Sequence, residues 1–135
     1  MSSVFLDTSF FIALYNKDDE YHEKAVSILT DIKGCRFVLT QAIILEIGNA
    51  FSDSCFKKTG IKILRELETN SSKYEIVDYD QKIHRQAFQL FESRIDKDWS
   101  LTDCISFAAM KNLRLNQALT TDRHFIQAGF ESLLL

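Results

Sequence analysis

Val4-Phe5-Leu6-Asp7-Thr8-Ser9 is an apolar run, short enough for a buried strand, that stops on a carboxylate and two hydroxyl residues. A continuous apolar segment of this length suits a strand covered on both faces, as strands of parallel sheets are. Such sheets bind ligands outside the carboxyl ends of their strands, so Asp7 stands where chemistry is commonly done. The simpler reading is local. Asp7, Thr8 or Ser9 caps a helix starting near Phe10, because short oxygen-bearing side chains accept from the free N–H groups of a first turn. The choice turns on whether other carboxylates arrive at the same place.

Working outward, Phe37-Val38-Leu39 reads as a second strand, Tyr74 to Val77 as a third and Gln117 to Leu119 as a fourth. Helical periodicity fills the intervals. One helix runs from Phe10 to Tyr15, and another opens at Asp18 and Asp19 and ends at Gly34. A third follows the Thr40 cap to about Phe51, and a fourth covers Lys57 to Leu67. Asp80 opens a helix with Ile83, Ala87, Leu90 and Phe91 on one face, Ser100 opens a markedly apolar one through Leu113, and a short one reaches Gly129. Phe130 to Leu135 can add an edge strand. Strands alternating with helices imply right-handed crossovers and a mostly parallel sheet, hence a three-layer α/β/α domain. With 135 residues, no proline and no repeat or linker, residues 1–135 read as a single domain.

Composition narrows the function classes. A net charge of −3 argues against a chain that simply coats nucleic acid, although a local basic groove can coexist with an acidic total. No stretch approaches the roughly 18 to 20 apolar residues of a membrane span. Cys35, Cys55 and Cys104 are odd in number, form no C-x-x-C pair and follow no apolar N-terminal signal segment, so a reducing cytoplasm is the simplest home and each thiol reads as a small core hydrophobe. His22, His84 and His124 lie far apart, without zinc-binding spacing between any two.

Three further acids interrupt apolar surroundings. Glu46 falls in Ala42-Ile43-Ile44-Leu45-Glu46-Ile47-Gly48-Asn49, just past the second strand. It is either a solvated helix-edge side chain or an inward acid, with Asn49 about one turn on to bond it or a ligand. Asp103, in Ser100-Leu101-Thr102-Asp103, matches a capping box, yet its helix start also favours an anion directed toward the strand ends. Asp122 ends Ala118-Leu119-Thr120-Thr121-Asp122, a second buried strand running into hydroxyls and an acid. Asp98, in the charged loop before Trp99, is at most auxiliary. Four carboxylates together require compensation, because two unit charges about 4 Å apart cost roughly 4 kcal/mol at an effective dielectric near 20. Either protons are shared, or hard divalent cations such as Mg²⁺ or Mn²⁺ bind the oxygens.

On these residues the chain resembles PIN-domain ribonucleases, and its compact form resembles the VapC-type toxins of toxin–antitoxin pairs. The match runs nearly end to end. The family's four acids fall on Asp7 in Leu6-Asp7-Thr8-Ser9, Glu46, Asp103 in Ser100-Leu101-Thr102-Asp103-Cys104, and Asp122 in Thr120-Thr121-Asp122-Arg123-His124-Phe125. The resemblance implies a five-stranded parallel sheet flanked by helices, dependence on Mg²⁺ or Mn²⁺, cleavage of single-stranded RNA, pairing as a homodimer and a protein antitoxin as partner. It also implies that Thr8 and Thr121 orient carboxylates or waters. A bound cation lowers the pKa of water and offsets the charge growing on phosphate.

Substrate binding needs positive charge, and Lys57, Lys58, Lys62 and Arg65 offer a basic helical face, with Arg123 a separate candidate beside the last acid. That face is either simply solvated or contacts RNA phosphates or an acidic partner. Phe5, Phe37, Phe88, Phe91, Phe107 and Phe125 read as core. Trp99, among polar neighbours, reads as a base-stacking or subunit-contact residue. Two rival functions stand beside the nuclease. A phosphoryl-transfer enzyme with an Asp7 nucleophile lacks the second acid two residues on that the haloacid-dehalogenase signature supplies. A non-catalytic PIN-like interaction module would use the same acids to cap helices or bind a basic protein partner, and affinity for Mg²⁺ or Mn²⁺ separates it from the nuclease.

Overall fold

The computed structural model describes residues 2–135. The elements follow in the order β1 (Ser3–Leu6), α1 (Thr8–Tyr15), α2 (His22–Asp31), β2 (Arg36–Thr40), α3 (Gln41–Ala50), α4 (Lys57–Thr69), β3 (Tyr74–Val77), α5 (Gln81–Ser93), α6 (Leu101–Asn112), β4 (Gln117–Leu119), α7 (His124–Gln127) and β5 (Glu131–Ser132). All five strands are parallel, in the order β3-β2-β1-β4-β5. β1 is the centre of the sheet, which is why Val4, Phe5 and Leu6 carry no polar alternation and are all buried.

The direction of strand addition reverses at β1. The chain first builds outward through β2 to β3, then crosses back to place β4 on the other side of β1 and β5 beyond it. α1 packs against α2 and α3, α3 against α4, and α6 against α5 and α7; the right-handed rule for parallel crossovers assigns the helices before β3 and those after it to opposite faces of the sheet. The β1/β4 junction is therefore the switch point, where helices leave in opposite directions and a crevice opens at the carboxyl ends. Register fixes what lies there. Leu6 pairs with Leu119, so the residues that follow, Asp7 and Thr120, emerge side by side.

Local chemistry sets the element ends. The Thr40 hydroxyl caps α3 by accepting from the Ile43 N–H, and Asp80 caps α5 by accepting from that of Ile83. After α7, Gly129 takes φ +96° and the N–H groups of Gly129 and Phe130 return to the carbonyls of Ile126 and Phe125, a paired closure that turns the chain into β5.

Several expectations are corrected. α1 begins at Thr8, with Asp7 as the capping residue but no side-chain cap bond, so neither Thr8 nor Ser9 caps it. Asp18 and Asp19 lie in turns before α2, where the Asp19 carboxylate accepts from the Tyr21 N–H and delays the helix to His22. Phe88 and Phe91 are 48% and 46% exposed, because α5 buries only Ile83 and Ala87 fully. Trp99 is buried. It meets Phe107 edge-on with ring centroids 5.2 Å apart and donates its Nε1–H to Gln127, so it is packed within its own subunit. Cys104 is a core residue whose thiol is pushed up to about 11 by burial and then by the Asp103 charge, whereas Cys55 is exposed.

Candidate functional site

Asp7 is held at the end of β1 by its own N–H, which donates to the Leu119 carbonyl at 3.1 Å. Its Oδ2 accepts from the Ser9 hydroxyl at 2.7 Å and from the Thr120 hydroxyl at 2.8 Å. The same two hydroxyls are tied in turn, Ser9 accepting from the Thr121 N–H and Thr120 from the Asp122 N–H, each at 2.9 Å. The strand-end hydroxyls therefore join the β1 and β4 termini around one carboxylate.

Each of the other acids is supplied by the start of an element or by a helix packed against it. Glu46, on α3, accepts from the Thr8 hydroxyl of α1 at Oε1, 2.7 Å away. Asp103 completes the capping box of α6, its Oδ2 accepting from the Ser100 N–H at 3.0 Å while Ser100 Oγ accepts from the Asp103 N–H. Capping and convergence coexist, since the same Oδ2 lies 2.9 Å from His124 Nδ1. Asp122 Oδ1 accepts from the His124 N–H at 2.9 Å and lies 3.4 Å from His124 Nδ1. One cleft is lined by all four acids together with Thr8, Ser9 and Asn49.

The bonding has a common form. On every one of the four carboxylates, protein donors reach a single oxygen: Oδ2 of Asp7, Oε1 of Glu46, Oδ2 of Asp103 and Oδ1 of Asp122. Among the described residues the second oxygen of each has no protein donor. Among the described residues no Lys or Arg forms an ion pair with any of them, and His124 is the one basic side chain within ion-pair distance. Asp7 is only 7% exposed, and its carboxyl is raised from 3.8 to about 6. Burial is the largest cause. The Ser9 and Thr120 hydroxyls oppose it, and the charges of Glu46 and Asp122 add to it. A set of carboxylate oxygens with uncompensated negative charge fits a hard divalent cation.

The remaining sequence candidates divide. Asn49 lines the cleft but does not bond Glu46, a place that Thr8 takes. Thr121 contributes its backbone N–H, and the hydroxyl that reaches Asp7 belongs to Thr120. Asp98 is exposed and outside the cleft. Lys58, Lys62 and Arg65 are exposed on α4, and Arg123 is exposed next to Asp122. The site residues that sequence reasoning missed are Ser9, read there only as a helix cap, Thr120 and His124. The spacing Asp122-x-His124 carries a signal for the last of these, which places a histidine beside an acid rather than beside another histidine. Asp103, Asp122 and His124 each offer one atom, and these lie within 4.8 Å of one another.

The model of the PIN domain family matches residues 4–131. Among curated proteins no match was found. Of solved structures, that of Mycobacterium tuberculosis VapC20, a Sarcin-Ricin loop cleaving toxin, superposes with a TM-score of 0.82 at 23% identity, covering 94% of this chain and 95% of that one. FitAcB from Neisseria gonorrhoeae gives a TM-score of 0.71 at 16% identity over 96% and 94% of the two chains. DNA-bound VapBC from Salmonella typhimurium gives 0.66 at 16% identity over 98% and 97%. Together with the five-stranded parallel sheet, the family match over nearly the whole sequence establishes that the chain belongs to the PIN domain family.

Proposed function

We propose that this protein is a metal-dependent endoribonuclease that hydrolyses phosphodiester bonds of single-stranded RNA and serves as the toxin of a toxin–antitoxin pair. The observation that carries the reading is the convergence of Asp7, Glu46, Asp103 and Asp122 on one cleft, each tied through one oxygen and open at the other. Membership of the PIN family and the likeness to VapC and VapBC structures support a toxin-type nuclease and a protein antitoxin as partner. A homodimer belongs to the same reading, and light scattering tests it.

Asp7, Glu46, Asp103 and Asp122 would hold Mg²⁺ or Mn²⁺. When bound, such a cation lowers the pKa of water and offsets charge developing on the scissile phosphate. The chain's own part is positioning. Ser9 and Thr120 fix Asp7, Thr8 fixes Glu46, and the α6 capping box fixes Asp103, so the donor set is assembled by the fold before substrate arrives. Lys58, Lys62, Arg65 and Arg123 supply candidate phosphate contacts, with Asn49 available on the cleft wall.

The test uses the purified full chain with single-stranded RNA and Mg²⁺ or Mn²⁺. Cleavage is expected, abolished by chelator and reduced at least a hundredfold in Asp7→Asn with the fold retained. Cleavage that resists both treatments overturns the reading. Absence of Mg²⁺ and Mn²⁺ affinity by calorimetry would point instead to a PIN-like module that binds a basic partner.

A further inference from the structure

We propose that His124 is a positioning residue of the acid cleft, holding Asp103 and Asp122 from behind so that each presents its other oxygen to a cation; this rests on the metal-nuclease reading above. Three observations carry it. The ring Nδ1 stands 2.9 Å from Asp103 Oδ2 and 3.4 Å from Asp122 Oδ1, while the backbone N–H of the same residue donates to that Asp122 oxygen at 2.9 Å. One residue therefore grips two acids that come from different elements, the first turn of α6 and the loop after β4. The oxygens it grips already have other donors or lie against its own backbone, and their carboxylate partners, Asp103 Oδ1 and Asp122 Oδ2, have no protein donor among the described residues. Finally, Asp103 and Asp122 line the cleft and His124 does not.

The alternative use of the ring is direct ligation, because the three groups lie close enough to share an ion. The placement favours support over ligation. A proton on Nδ1 donates to Asp103, and outer hydrogen bonds of this kind set the orientation of metal-binding carboxylates, with losses of about 10- to 100-fold in metal affinity when they are removed. His124 is also the residue after Arg123, so the exposed cation beside it is carried on the same short turn as the clamp.

The experiment measures Mn²⁺ binding to the full chain by calorimetry and by electron paramagnetic resonance. His124→Phe keeps the ring volume without the donor, and His124→Asn places an amide N–H near the position of Nδ1. The expected result is a loss of about tenfold or more in Mn²⁺ affinity for His124→Phe, recovery to within about threefold of the native value for His124→Asn, unchanged melting temperatures in chelator, and no nitrogen hyperfine coupling from the native Mn²⁺ complex. Equal affinity in His124→Phe, an equal loss in both variants, or a bound-nitrogen signal that disappears in His124→Phe would overturn the assignment. Asp7→Asn separates the two levels. If Asp7→Asn abolishes Mn²⁺ binding while His124→Phe does not weaken it, the positioning role alone fails. If the native chain binds no Mn²⁺, the metal-nuclease reading falls and the positioning role with it.

Discussion

Asp7 concentrates the electrostatic cost of the acid cleft in one side chain. Buried at the end of β1 and facing two other acids, it holds its proton up to about pH 6, where the unfolded chain would release it near 3.8. The folded state therefore binds the proton more tightly, and stability falls as pH rises from about 4 to 6, the reverse of an acid stabilised by an ion pair. Above pH 6 the ionised carboxylate costs about 1 to 3 kcal/mol, the upper figure being a two-unit shift taken at full value. Asp7→Asn keeps an oxygen for the Ser9 and Thr120 hydroxyls and removes the charge. In chelator at pH 7.5 it is expected to stabilise the protein by about 1 to 3 kcal/mol in urea unfolding, with the gain shrinking toward zero as pH approaches 4. A gain that does not change with pH would locate its cause elsewhere.

At the scale of elements, α3 and α4 meet through a backbone contact that sequence periodicity does not reveal. Gly60 of α4 lies against Phe51, and a Cβ there would fall 2.7 Å from the Phe51 Cβ and 3.3 Å from its carbonyl oxygen. Alanine ordinarily strengthens a helix by up to about 1 kcal/mol relative to glycine. Here the clash is with atoms that cannot rotate away, so α4 has to move off α3, and Gly60→Ala is expected to destabilise the protein by about 1 to 3 kcal/mol in thermal or urea unfolding. α3 also carries Glu46 and Asn49, which ties this packing to the cleft wall. The legibility of individual elements follows the same division. β3 and β4 are found where the sequence places them, because both are short runs with apolar residues at their carboxyl ends and polar breaks around them. The start of α2 is displaced, because Asp19 satisfies the Tyr21 N–H in a turn and so does locally what a helix cap would have done.

Across the whole molecule, an acidic total of −3 coexists with Lys58, Lys62 and Arg65 exposed along α4. The residues repeat at one and two helical turns, and no acid pairs with them among the described residues. If two of these cations contact single-stranded RNA phosphates, the slope of log affinity against log salt includes about 1.4 from them, at roughly 0.7 per phosphate. Charge reversal of Lys58 and Lys62 to Glu is expected to weaken RNA binding and flatten that slope by at least about this amount, with no change in metal affinity. An unaltered affinity and slope would leave the α4 face as solvated surface. Among the described residues no helix is long and apolar enough to cross a membrane.

The alternation of strands and helices, the parallel sheet and the four acids are legible along the chain, since strand burial, helix periodicity and a charge that ends or interrupts an apolar run are local properties of neighbouring residues. So is the capping box of Ser100 and Asp103, which depends on a spacing of three. It takes the packed fold to show that Thr120, not Thr121, reaches Asp7 with its hydroxyl, that Trp99 is buried while Phe88 and Phe91 are exposed, and that His124 joins two acids 2 and 21 positions away. Those outcomes depend on which strand lies beside β1 and on how α5, α6 and α7 meet across one face of the sheet. Such contacts join residues distant in the chain, and no local pattern encodes the direction in which a side chain will point once they form.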